Sequence, residues 1–260
     1  MGEGPKSGVG TGMETGTTQG VEDVRGQPCY GTCRPGRIAA FQGFHAMLYD
    51  ITPPISPRLR VWPGDTPPSR ELRLDMRSGA NLTLSTLHTT VHVGAHADAP
   101  SHYGRDATAI HERDLTPYLG PCQVIRTGPA PGTRLCPGDV AAPILAERVL
   151  LATGTFPDPE RFNEDFAALA PALVDWLHGR GVRLVGIDTP SVDLFDDGLL
   201  VAHQRFLAHD MAILEGLVLA GVPAGLYELI ALPLRLEGFD ASPVRAVLRS
   251  LPAPPLRAHD

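Results

Sequence analysis

The chain lacks the features that mark several functional classes. Its 260 residues include four cysteines, Cys29, Cys33, Cys122 and Cys136. Cys29 and Cys33 form a CxxxC with no nearby Cys or His pair to complete a zinc finger. A chain of this size can bury a substantial core without cross-links, so free thiols in a reducing cytoplasm are expected. Lys and Arg form no run, and the formal net charge is -7. That balance argues against a nucleic-acid or anionic-membrane surface. The first 20 residues contain no apolar core of a secretory signal. The most apolar stretch, Met211 to Leu236, is interrupted by Glu215, Pro223 and Glu228, so it reads as buried strands and not as a membrane span. There is no GxSxG elbow, no Walker loop and no GxGxxG. Ser191, in DTPSVD, has no identifiable base and reads as a turn residue.

Residues 1–45 are rich in Gly, Thr, Ser and Arg, with little apolar periodicity. Such a segment buries too little surface to offset its ordering entropy and is expected to be disordered. The globular pattern starts near Met47, which suggests a true start close to that residue and one domain over residues 46–260. From there, strand-like and helix-like pieces alternate. Strands are expected at Leu48–Ile51, Arg70–Met76 (half-buried), Leu82–His92, Pro121–Thr127, Val149–Thr153, Leu184–Ile187, Met211–Leu219 and Leu226–Leu234. Asp158-Pro159 resembles a helix start, and Phe162, Phe166, Leu169, Leu173 and Leu177 follow at helical spacing. A second helix is read over Leu199–His209. The class is α/β, strand-heavy and of mixed order.

The informative feature is HVGAHADAPSH, from His92 to His102. His92, His96, Asp98 and His102 fall at even positions, separated mostly by small apolar residues. On an extended strand all four would share one face. A solvated strand face could carry one histidine incidentally, but imidazoles and a carboxylate crowded together point to a metal. His92, His96 and Asp98 suit Zn, Mn or Fe(II). His102 lies past Pro100, where a strand should bend; it is either a fourth ligand or an acid/base group. Glu215 sits in the apolar run AILEGLVL, where a carboxylate is costly to bury unpaired. With His203 it would supply a second metal, Asp98 being a natural bridge. Trp62, in the loop VWPGD, either stacks on an aromatic substrate or lids the core. His178 and His209 sit near helix ends, where a cationic histidine is ordinarily favoured.

These residues resemble a known family. HVGAHADAPSH is similar to the HxGxHxDxPxH motif of the cyclase-like metal-dependent hydrolases. VWPGDTP, GIDTPSVD and the tail YELIALPLRLEGFDASPVRAVL extend the likeness, and within the family it is to the kynurenine formamidase (arylformamidase) branch. The resemblance implies a swivelling β/β/α domain, a mixed sheet with flanking helices, and a cytoplasmic homodimer. It implies two zinc ions per subunit, one on His92, His96 and Asp98, the other on Asp98, His203 and Glu215. His102 would be the catalytic acid/base and Trp62 would contact the substrate ring. The implied reaction is hydrolysis of N-formyl-L-kynurenine to L-kynurenine and formate; the alternative is a related aromatic amide, as in isatin hydrolases, perhaps with manganese. The sequence departs from the pattern at Ser101, at LFDDGLL after GIDTPSVD, and at Gln204, where a second histidine would be expected.

Overall fold

The computed structural model describes residues 46–251. The expected disorder of residues 1–45 lies outside this range. Thirteen strands occur in chain order: β1 (Leu48–Asp50), β2 (Ser69–Leu74), β3 (Leu84–His88), β4 (His96–Asp98), β5 (Leu119–Arg126), β6 (Arg134–Leu135), β7 (Arg148–Ala152), β8 (Ala168–Leu169), β9 (Leu184–Ile187), β10 (Ala212–Glu215), β11 (Gly225–Ile230), β12 (Ala241–Pro243) and β13 (Val247–Ser250). Three α-helices accompany them: α1 (Pro100–Tyr103), α2 (Pro171–His178) and α3 (Val201–His209).

Nine strands form one sheet in the order β1-β13-β11-β5-β7-β9-β10-β4-β12. The centre, β5-β7-β9-β10, is parallel. Both flanks are antiparallel. This is the expected α/β class, a mixed sheet with flanking helices. The parallel strands are short runs of Val, Leu and Ile because both their faces are covered. Val149 and Leu151 of β7 face Leu173, Leu177 and Phe206 of the helical layer. Leu150 faces the opposite cluster, with Val124, Leu214 and Leu229. The alternation is the strand period of two.

Two expectations fail. The helical spacing from Phe162 to Leu177 is not one helix. Residues Asp158–Ala167 are irregular, and only Pro171–His178 is α-helical, with Pro171 in its first turn. The Asp158 side chain instead accepts from the Glu160 amide at 3.0 Å, a local turn that competes with helix. Phe162 and Phe166 join Trp62 and Phe156 in an aromatic cluster, so tertiary packing takes residues that the spacing assigned to a helix face. Second, β2 is exposed along its whole length and not half-buried. It pairs only with β3, as a hairpin outside the main sheet. Leu72, Leu74, Leu84 and Leu87 all stand in solvent there.

No helix among the described residues is long and apolar enough to cross a membrane. Cys122 and Cys136 are both free; burial pushes the Cys122 thiol up to about 12, so it behaves as a small core residue.

Candidate metal centre and active-site cavity

Register builds the centre. In the antiparallel pair β4–β10, Glu215 lies opposite His96, and Ile213 opposite Asp98. Cross-strand partners share a face, so the Glu215 carboxylate is delivered beside the His96 ring. Ala97, between them on the other face, packs into the core. The period-two argument therefore holds for His96 and Asp98 but not for all four residues. His92 lies in the loop before β4, and His102 lies in the short helix α1 beyond Pro100. Loop and helix curl both rings back toward the strand face. His203 arrives from the first turn of α3.

The donor atoms converge tightly. His92 Nδ1 is 3.2 Å and His96 Nε2 3.5 Å from Asp98 Oδ1. His203 Nε2 is 3.4 Å from Asp98 Oδ2 and 3.6 Å from Glu215 Oε1. His96 Nε2 is 3.3 Å from Glu215 Oε2. Two ligands on a tetrahedral ion with bonds near 2.0–2.1 Å stand roughly 3.3 Å apart. Asp98 offers one oxygen to each group, as a bridging carboxylate must. Both Asp98 oxygens and His203 Nε2 are buried with no hydrogen-bond partner. Orphaned atoms of this kind are costly unless something not yet counted satisfies them. A cation does so directly, and the donor set fits divalent zinc or manganese. The clusters His92, His96, Asp98 and Asp98, His203, Glu215 are the two expected ligand sets, brought together by the fold.

Each ring is also held from behind. Gly94 O lies 2.8 Å from His96 Nδ1. Asp193 Oδ2 lies 2.8 Å from His203 Nδ1. Asp240 Oδ2 lies 3.0 Å from His92 Nε2. Acceptors on the far nitrogen fix tautomer and ring direction in metal sites. Burial disfavours a charged His92 ring, yet Asp98 and Asp240 outweigh it and hold the metal-free ring up to about 9. Burial likewise opposes charge on His203, and Asp193, Asp98 and Glu215 raise it to about 10. Burial alone would raise Asp98, but His203 and His92 hold it well below the usual carboxylate range.

His102 stands at the rim. Its Nδ1 is 3.3 Å from the same Asp240 oxygen, and its ring centroid is 4.2 Å from that of His92. His92, His102 and Asp240 form a third convergent group. The rim opens on a cavity of about 580 Å³, lined by Trp62, Phe156, Phe162 and Leu217 as well as by His92, His96, His102, His203 and Glu215. Trp62 lines the cavity and stacks on Phe195, with ring centroids 4.9 Å apart. Phe195 and Leu200 belong to LFDDGLL, and Leu200 lines the cavity, so that departure reaches the cavity wall.

A family model described as a putative cyclase matches residues 49–194, more than half of the chain. The chain belongs to the putative cyclase family. Solved structures share its fold. One is described as a potential metal-dependent hydrolase with cyclase activity; it is 26% identical, with a TM-score of 0.69, over 80% of this chain and 100% of the other. A "predicted metal-dependent hydrolase" from Bacillus stearothermophilus is 29% identical, with a TM-score of 0.67, over 78% and 98%. Isatin hydrolase A from Labrenzia aggregata shares the fold at 20% identity and a TM-score of 0.67, over 78% and 93%.

Two site residues, Asp193 and Asp240, were not among the candidates read from the sequence. Asp193 stood in a motif already noticed, GIDTPSVD, but its partner lies ten residues on. Asp240 lies within the tail YELIALPLRLEGFDASPVRAVL, but 148 residues from His92, so nothing local marks it as that ring's partner. The Glu215 side chain is buried beside His96 and His203, so the acid in the apolar run is not a solvated surface group. Gln204 donates to the Tyr103 carbonyl at 2.9 Å, so it ties α3 to α1 instead of joining the ligands. His178 and His209 stack on each other, with His209 bound to Asp175, apart from the centre.

Proposed function

We propose that the protein hydrolyses an aromatic formamide, N-formyl-L-kynurenine, to L-kynurenine and formate, with two zinc ions per chain. The observation that carries the reading is an aromatic-walled cavity opening onto a carboxylate–imidazole cluster with a rim histidine. Bound divalent metal supplies Lewis acidity and an activated water at neutral pH. Trp62, Phe156 and Phe162 offer faces and edges to a substrate ring and exclude bulk water from the amide. His102, oriented through Nδ1 by Asp240, presents Nε2 for proton transfer. It would take the proton released by the attacking water and deliver it to the leaving aryl amine nitrogen. Asp98 bridges the two ligand groups, and Asp193, Asp240 and Gly94 keep the rings in place. A cytoplasmic homodimer is part of the same reading; the exposed leucines of β2 and β3 are a surface that dimerisation would cover.

A second reading is a cyclic aromatic amide such as isatin, supported by the fold shared with isatin hydrolases. One assay separates them. Purified protein of measured metal content is offered N-formyl-L-kynurenine and isatin, each followed by absorbance. Turnover of the formamide supports the first reading; turnover of isatin alone supports the second. Inactivity of zinc-loaded and manganese-loaded folded protein on both would overturn both.

A further inference from the structure

The cavity has a charged feature that the hydrolytic chemistry does not use. Arg60 is the sole Arg or Lys among its described lining residues. Arg60 is exposed; its Nε donates to the Glu160 carbonyl at 3.3 Å, and its backbone amide donates to the Pro159 carbonyl at 3.0 Å. The Glu160 carboxylate pairs with Arg58 at 2.8 Å and not with Arg60. Among the described residues, no carboxylate lies within ion-pair distance of Arg60, and its two terminal nitrogens make no hydrogen bond. Asp188, also in the lining, accepts from the Thr153 and Gly154 amides and the Thr153 hydroxyl, which occupies its oxygens inside the protein. A guanidinium anchored through Nε with both terminal nitrogens open is pre-organised for a two-pronged contact with a carboxylate. Arg60 is two residues from Trp62, on the same loop, so a group bound by the arginine would be carried by a ring packed near the indole.

We propose that Arg60 binds a carboxylate on the substrate, remote from the bond that is cut, and so selects aromatic amides bearing an anionic side chain. The proposal rests on the hydrolase reading above and narrows its substrate class. A surface arginine serving only to brace the loop would bind anionic and neutral substrates alike. Arg60 makes a distinction between them, through an interaction present in the ground state as well as the transition state. Such uniform binding appears in KM and not in kcat.

The test uses full-length, metal-loaded protein and two formamides: N-formyl-L-kynurenine, and 2-formamidoacetophenone, which lacks the amino-acid head. Arg60→Gln is expected to raise KM for the first by roughly 10- to 100-fold, the scale of losing a hydrogen-bonded charge contact. Its kcat should change little, and KM for the neutral formamide should not follow. Arg60→Lys should recover part of the loss, since it keeps the charge but not the fork. Equal changes for both substrates, or no change for either, would overturn the assignment. Should the wild type hydrolyse neither compound, the formamidase reading fails by itself. Calorimetric binding of L-kynurenine and 2-aminoacetophenone to wild type and Arg60→Gln then decides the arginine separately. Selective loss of L-kynurenine binding upholds the proposal, and unaltered or equally altered binding of the two refutes it.

Discussion

Asp193 Oδ2 lies 2.8 Å from Nδ1 of His203 and also accepts from the His203 amide at 3.0 Å. One carboxylate thus fixes both the ring and the backbone that carries it, and Arg134 at 2.8 Å balances its charge. The result is an imidazole whose Nε2 can face only Asp98 and Glu215. Asp193→Asn should leave the fold intact and weaken the ligand set on α3, lowering affinity for one metal of the pair by about 10- to 100-fold. Metal titration of the stripped variant checks this; two sites of unchanged affinity would refute it.

His102 and Asp240 can be separated by the same approach. His102→Ala should keep its metal and lose about 10²- to 10⁴-fold in kcat, the range for removing a general acid/base. Asp240→Asn should lower kcat and also loosen metal held by His92, because its carboxylate contacts both rings. Metal analysis beside steady-state kinetics reads both. Loss of metal from His102→Ala would make His102 a ligand.

Gly216 follows the candidate ligand Glu215 at φ +64°, and a Cβ there would stand 2.1 Å from the Gly94 carbonyl oxygen. That oxygen also orients His96. Gly216→Ala must push two segments of the centre apart. A loss of at least about 2 kcal/mol in stability is expected, with reduced metal retention. Denaturant melts and metal content measure it; a variant as stable as wild type would contradict the close approach.

Arg126 Nη2 donates to the carbonyls of Leu219, Ala220 and Val222 at 3.3, 2.9 and 2.7 Å. It clamps the loop after β10, whose Leu217 to Ala220 line the cavity. Arg126→Met removes the clamp and leaves carbonyls unpaired. KM should rise several-fold with metal content unchanged, and stability should fall by about 1–3 kcal/mol. An unaltered KM would show that the loop holds its shape without the arginine.

The metal-free protein should show an alkaline loss of stability. His92 at about 9 and His203 at about 10 lie above the ordinary imidazole value of 6.5. Groups raised on folding stabilise fully below their unfolded value and lose that contribution as pH rises through the folded one. The urea midpoint of stripped protein should therefore fall between about pH 6.5 and pH 10. Metal binding should run the other way, improving with pH as the rings give up their protons. A flat midpoint over that range would count against protonated rings in the free site.

The sequence alone marked the candidate site residues and most strands. His92, His96, Asp98, His102, His203 and Glu215 were legible because small spacers and an acid inside an apolar run are locally unusual. Leu184–Ile187 was read to the residue, since a buried parallel strand is a short apolar block with clear ends. Only the tertiary structure decided how those residues meet. The β4–β10 register set Glu215 against His96. The bend at Pro100 turned His102 from strand to helix, and the aromatic cluster took Phe162 and Phe166 from an expected helix. Asp193 and Asp240 stood inside family-like motifs, but nothing local marked either as the partner of a histidine, and Arg60 carried no signal at all. Their significance lies in contacts and cavity walls made by segments distant in the chain, which periodicity along that chain cannot encode.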